Sequence, residues 1–219
     1  MVNRYQGRPT IMDYSLYLVT AGFDYQEDAF LQVVEDAVKA GVTLVQFRDK
    51  TATSRDAYAL AQKLKAITDR YDVPLIINDR VDLALAVDAA GVHIGDDELP
   101  VDVVRKLIGP DKILGVSTKT LARAEEAYQQ GADYLGVGAI FPTTTKDSSL
   151  VTVETLQTIT SQVAIPVVAI GGIHLDNIKT LSGSGIAGIS VVSEIMLADS
   201  VTQRVRDLKA EVADMLEVD

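Results

Sequence analysis

Four stretches of the chain combine charged, hydroxyl and glycine residues in patterns that suit anionic ligands. Phe141-Pro142-Thr143-Thr144-Thr145-Lys146 follows the apolar run 134–140. Its three hydroxyls, their backbone amides and one compact ammonium can surround phosphate oxygens. A polar connecting turn has the same composition, so this loop alone does not decide between the two. In Gln46-Phe47-Arg48-Asp49-Lys50, an extended chain puts Gln46, Arg48 and Lys50 on one face and Phe47 and Asp49 on the other. Amide, guanidinium and ammonium together could clamp a polyanion, or stand as a solvated strand end.

The acidic candidates are Asp79, directly after Leu75-Ile76-Ile77-Asn78, and the trio Asp96-Asp97-Glu98. Carboxylates without histidine or cysteine partners are the oxygen set that Mg²⁺ accepts while keeping several waters. Helix capping explains Asp97 equally well; for Asp79 metal binding is preferred. Gly171-Gly172 bares the backbone where peptide amides could approach a phosphate, and Val192-Ser193 stands at the opening of the last helical pattern. His93 reads as a packing residue and His174 as a helix-start residue.

These residues must be held by something, and the apolar periodicity says what. Short apolar runs at 15–19, 42–47, 74–77, 91–94, 112–116, 134–138, 166–170 and 186–192 alternate with helical patterns at 28–39, 54–70, 81–89, 101–108, 121–130, 153–162, 176–182 and 201–216. Gly41, Gly91 and Gly131 mark three similar passages from helix to strand, where a helix stop is expected. Eight βα units in one domain spanning 1–219, after a polar lead-in at 1–13, predict an α/β fold of the (βα)₈ TIM barrel type. A doubly wound open sheet is the alternative, but no G-x-G-x-x-G follows the first strand. In a barrel, chemistry belongs where strands end, and each cluster named above sits there.

Composition narrows the ligand. The sequence is 47% hydrophobic but only 5% aromatic, which suits parallel strands under covering helices. With no cysteine, a disulfide framework and a thiolate metal site are excluded. A formal charge of −11 opposes a general nucleic-acid surface, while a focused cleft can still gather a small anion. No secretion signal or membrane-length apolar run is present, and a cytoplasmic location is expected.

Taken together, Gln46-x-Arg48-x-Lys50, Asn78-Asp79, Gly91-Val92-His93-Ile94-Gly95, Gly115-Val116-Ser117-Thr118, Gly138-x-Ile140-Phe141-Pro142-Thr143-x-Thr145-Lys146, Ile170-Gly171-Gly172-Ile173 and Val191-Val192-Ser193 resemble the thiamine phosphate synthase family. The likeness covers about residues 16–195. It implies a transferase that condenses hydroxymethylpyrimidine diphosphate with thiazole monophosphate, giving thiamine phosphate and pyrophosphate. Carried over by position, Gln46, Phe47, Arg48, Asp49, Lys50, Asn78, Ser117 and Lys146 would hold the pyrimidine diphosphate. Thr143, Thr144, Thr145, Gly172, Val192 and Ser193 would hold the thiazole phosphate. Arg48, Lys50, Ser117 and Lys146 would be the catalytic groups. One Mg²⁺ per subunit would sit on Asp79 and a second acid. Where the family has Gln-x-Asp after the fourth strand, this chain has Asp96-Asp97-Glu98, so that ligand falls on Glu98, with Asp97 as the alternative. The loop after Lys146 is shorter than the family's.

The implied partners are small molecules, not nucleic acid or membrane, and a homo-oligomer is neither required nor opposed. A thiazole tautomerase, a sugar-phosphate barrel and a non-catalytic phosphate-binding barrel are the rival readings. Resemblance to a tautomerase would imply a histidine in the fifth loop, where this chain has Lys119.

Overall fold

The computed structural model describes residues 12–143 and 149–217; Thr144, Thr145 and Lys146 lie outside the described residues, as does the lead-in before Met12. The eight strands are β1 (Leu16–Val19), β2 (Leu44–Phe47), β3 (Leu75–Asn78), β4 (Gly91–Ile94), β5 (Ile113–Thr118), β6 (Tyr134–Gly138), β7 (Val167–Ile170) and β8 (Gly188–Val191). They pair in sequence order, all parallel, and β8 closes on β1. Helices α1 (Glu27–Ala40), α2 (Ser54–Arg70), α3 (Val81–Ala86), α4 (Val101–Ile108), α5 (Leu121–Gln129), α6 (Val153–Gln162), α7 (Ser193–Met196) and α8 (Val201–Leu216) complete the βα alternation. Side-chain oxygens of Thr53, Thr120, Thr152 and Ser200 accept first-turn amide hydrogens and so set where α2, α5, α6 and α8 begin. Among the described residues no helix is long and apolar enough to cross a membrane.

Period-two alternation divides the apolar residues into two cores. Leu16, Leu18, Val45, Phe47, Ile77 and Val92 point outward and pack under the helices. Tyr17, Val19, Leu44, Ile76, Ile113, Tyr134 and Val168 point inward and fill the lower barrel. With Tyr14, the interior therefore holds three phenols among aliphatic side chains.

Three local features differ from the sequence reading. The segment expected as a helix at 176–182 is a 3₁₀ turn, Ile178–Leu181, cut off by Gly183 at φ 72° and Gly185 at φ 71°. Ser193 opens the separate four-residue α7, and the last helix starts only at Val201. Gly91 does not stop a helix. It is the first residue of β4, where a Cβ would stand 2.1 Å from the Ile113 carbonyl oxygen.

Gly115 is required inside the barrel. A Cβ there would meet Tyr134 Cζ at 2.2 Å and His93 Nδ1 at 2.4 Å. Gly115→Ala is expected to cost about 3 kcal/mol of folding stability, because overpacking in a closed barrel cannot relax cheaply. Denaturant unfolding checks this, and an unchanged midpoint would refute the contact.

Candidate active site

A cavity of about 700 Å³ opens at the carboxyl ends of the strands. Its floor is a hydrogen-bonded row that crosses the barrel. Gln46 Nε2 donates to Tyr17 Oη at 2.6 Å, Tyr17 Oη and Tyr134 Oη are 2.8 Å apart, Tyr134 Oη lies 2.8 Å from His93 Nδ1, and His93 Nε2 lies 2.9 Å from Ser117 Oγ. All five line the cavity, yet Gln46 is 4% and His93 8% exposed. Burial, the largest influence, holds both phenols well above the ordinary tyrosine range, so they serve as neutral hydrogen-bonding groups. Tyr17, Tyr134 and His93 were not among the expected site residues.

One wall carries charge. Arg48, Asn78 and Asp97 line the cavity. Lys50, Asp79 and Glu98 are not among the residues that line the cavity; next to that wall, Lys50 Nζ contacts Asp79 Oδ2 and lies 3.8 Å from Glu98 Oε1, so one cationic centre reaches both carboxylates. Asn78 Nδ2 donates to the same Asp79 oxygen at 2.6 Å. The Asp79 backbone sits in the left-handed region at φ 62°, with its N–H donating to the His93 carbonyl at 2.8 Å. Holding a non-glycine residue there costs about 1 kcal/mol or more, and in return the carboxylate faces Lys50. Among the described residues, no three His, Cys, Asp or Glu side chains gather as a metal cage. Two carboxylates are nevertheless a fitting set for Mg²⁺, which usually takes one or two from the protein and completes its shell with water and substrate phosphate.

The opposite wall is backbone-rich. Gly171 and Gly172 have φ values of 96° and 65°. A Cβ on Gly172 would stand 2.4 Å from the Pro142 carbonyl oxygen, so the loops after β6 and β7 can approach only at a glycine. Asn177 Nδ2 donates to Gly172 O at 2.9 Å and steadies this turn. Thr143, Gly172, Val192 and Ser193 line the cavity together. His174 does not start a helix: its Nδ1 lies 2.7 Å from Glu194 Oε2, and Arg204 Nη1 donates to Glu194 Oε1 at 2.5 Å.

Of the remaining expected residues, Phe47 and Asp49 do not reach the cavity with their side chains. Phe47 is 3% exposed in the outer core, on the face opposite Gln46. Asp49 Oδ1 accepts from the Thr51 and Ala52 amides at 2.8 and 2.9 Å and from the Thr51 hydroxyl at 3.1 Å, which shapes the turn after β2. Burial alone would raise its pKa, but these hydrogen bonds outweigh burial and lower it.

Residues 16–195 match the family model described as thiamine monophosphate synthase. A thiamine-phosphate synthase of Enterococcus faecalis is 60% identical over 202 residues, 92% of this chain and 96% of that protein. A thiamine-phosphate synthase of Lacticaseibacillus paracasei is 56% identical over 205 residues, 93% of this chain and 96% of the relative. The solved thiamine phosphate pyrophosphorylase from Pyrococcus furiosus superposes with a TM-score of 0.86 at 38% identity, covering 94% of this chain and 98% of its own. With a charged wall, a glycine-backed wall and a polar floor at the mouth of a closed barrel, and with similarity of this extent along the strands that carry them, the chain belongs to the thiamine monophosphate synthase family and is an enzyme of the transferase class.

Proposed function

We propose that this cavity joins hydroxymethylpyrimidine diphosphate to thiazole monophosphate. The displacement is dissociative: the methylene–oxygen bond to diphosphate breaks with its bonding pair leaving on pyrophosphate, and the thiazole nitrogen lone pair then forms the bond to the cation-like pyrimidine methylene. The nitrogen carries a lone pair and no proton, so no general base is needed. This agrees with a floor in which burial keeps both phenols of the row protonated. The aminopyrimidine ring delocalises the positive charge that develops on its methylene.

The observation that carries the reading is the cation contact shared by Asp79 and Glu98, each next in the chain to a residue that lines the cavity, Asn78 and Asp97. Asp79 and Glu98 would hold Mg²⁺, with Asp97, which lines the cavity, as the alternative second ligand. The bound ion supplies neutralisation of the departing pyrophosphate. Lys50, displaced from the carboxylates, would turn to the diphosphate with Arg48 and Lys146. Gln46 and Ser117 would face the pyrimidine ring from the floor. Thr143 to Thr145, Gly172, Val192 and Ser193 would receive the thiazole phosphate. The enclosed site positions both rings and limits water access to the cation-like methylene.

The test mixes both substrates with protein and Mg²⁺ and follows pyrophosphate. Stoichiometric release is expected, with an EDTA-treated sample slower by at least about 10²-fold because the leaving group loses its main counter-charge. Binding of both ligands without release would leave a phosphate-binding barrel. Isomerisation of a thiazole without the pyrimidine would indicate a tautomerase.

A further inference from the structure

We infer that the row Gln46, Tyr17, Tyr134, His93, Ser117 is a polarity lock, fixing Ser117 as a hydrogen-bond donor and Gln46 as an acceptor toward a ring bound in the cavity. The four links measure 2.6, 2.8, 2.8 and 2.9 Å. Each phenol has one proton, and burial keeps it there. Because Gln46 Nε2 donates to Tyr17 Oη, the Tyr17 proton goes on to Tyr134. The Tyr134 proton then goes to His93 Nδ1, which must be the acceptor nitrogen. The imidazole proton therefore resides on Nε2 and is donated to Ser117 Oγ. Ser117 keeps its own proton for the cavity it lines, and Gln46 keeps Oε1.

The two ends stand on β2 and β5, so their polarities are coupled across the barrel. A complementary ring offers a donor toward β2 and an acceptor toward β5, as an aminopyrimidine does with its exocyclic amine and a ring nitrogen. An oxopyrimidine presents the inverse pair and would leave buried groups unmatched. Tyr17, Tyr134 and His93 act through their neighbours and are positioning residues. Naming the ring rests on the proposed pyrimidine diphosphate substrate; the proton order does not.

Two measurements test the lock. The chain has only two histidines, so ¹⁵N-histidine NMR, assigned with His174→Gln, reads the His93 tautomer directly. The Nε2–H form is expected, and an Nδ1–H form would overturn the inference. In the second measurement, kcat/KM is compared for the 4-amino substrate and its 4-oxo analogue, in the native protein and in Tyr134→Phe. The native protein should prefer the amine by about 10²-fold or more, and the variant should narrow that ratio by about tenfold, with KM for the thiazole phosphate unchanged. Comparing ratios cancels the intrinsic reactivity of the two rings. An unchanged ratio overturns the lock, and Tyr17→Phe repeats the test at another link if Tyr134→Phe does not fold. If the native protein releases no pyrophosphate from the amine, the functional reading fails, while the tautomer still decides the proton order.

Discussion

Asp79→Asn is expected to slow pyrophosphate release by about 10³-fold, because a metal-held leaving group accounts for several kcal/mol of the barrier. Asparagine suits the test at this position. It tolerates the left-handed backbone at φ 62° better than other replacements, and its amide oxygen can still accept the Asn78 hydrogen bond. Only the charge and part of the metal affinity are removed. The loss should be partly recovered at high Mg²⁺, while the unfolding midpoint stays close to that of the native protein. Steady-state rates across a Mg²⁺ titration provide the check. A loss below about tenfold at every Mg²⁺ concentration would take Asp79 out of the metal site, since even outer contacts of a metal typically exceed that.

Lys146→Ala is expected to lower kcat by about 10²-fold or more, the usual effect of removing one preorganised charge contact from a transition state. Lys146 follows Thr143, which lines the cavity, by three positions in the chain. Its proposed partner is the departing pyrophosphate, whose charge grows as the bond breaks. The loss should therefore fall on kcat more than on KM for the pyrimidine diphosphate. Lys146→Arg should recover only part of the rate, because a planar fork does not replace a compact ammonium. Near-normal turnover of Lys146→Ala would remove this lysine from the mechanism.

The barrel was legible because its signals are periodic and local. The strands at 91–94 and 134–138 and the helices at 54–70, 101–108, 153–162 and 201–216 have the same bounds in sequence pattern and structure. The facing rule worked at β2, where Gln46 enters the cavity and Phe47 the outer core. Lys50 was harder to place, since its contacts with Asp79 and Glu98 depend on three separate loops. Of the floor, only its two ends, Gln46 and Ser117, were legible. Tyr17 and Tyr134 lie in apolar runs where a tyrosine counts as one more core residue, and His93 has no polar neighbour in its strand. What joins them is the closure of the sheet, which brings β1, β4 and β6 around one interior. Glycine was the one available hint: residues 115 and 136 remove side chains beside His93, and a bulky ring is what such gaps admit.

That gap makes one position depend on another. With the aromatic ring at 134 in place, no side chain fits at 115 without displacement; once 115 bears one, position 134 must yield volume and, with it, the hydroxyl that links the halves of the barrel. Position 115 cannot gain a side chain until position 134 has yielded, so a lineage that fills the first must already have rebuilt the base of its pocket at the second.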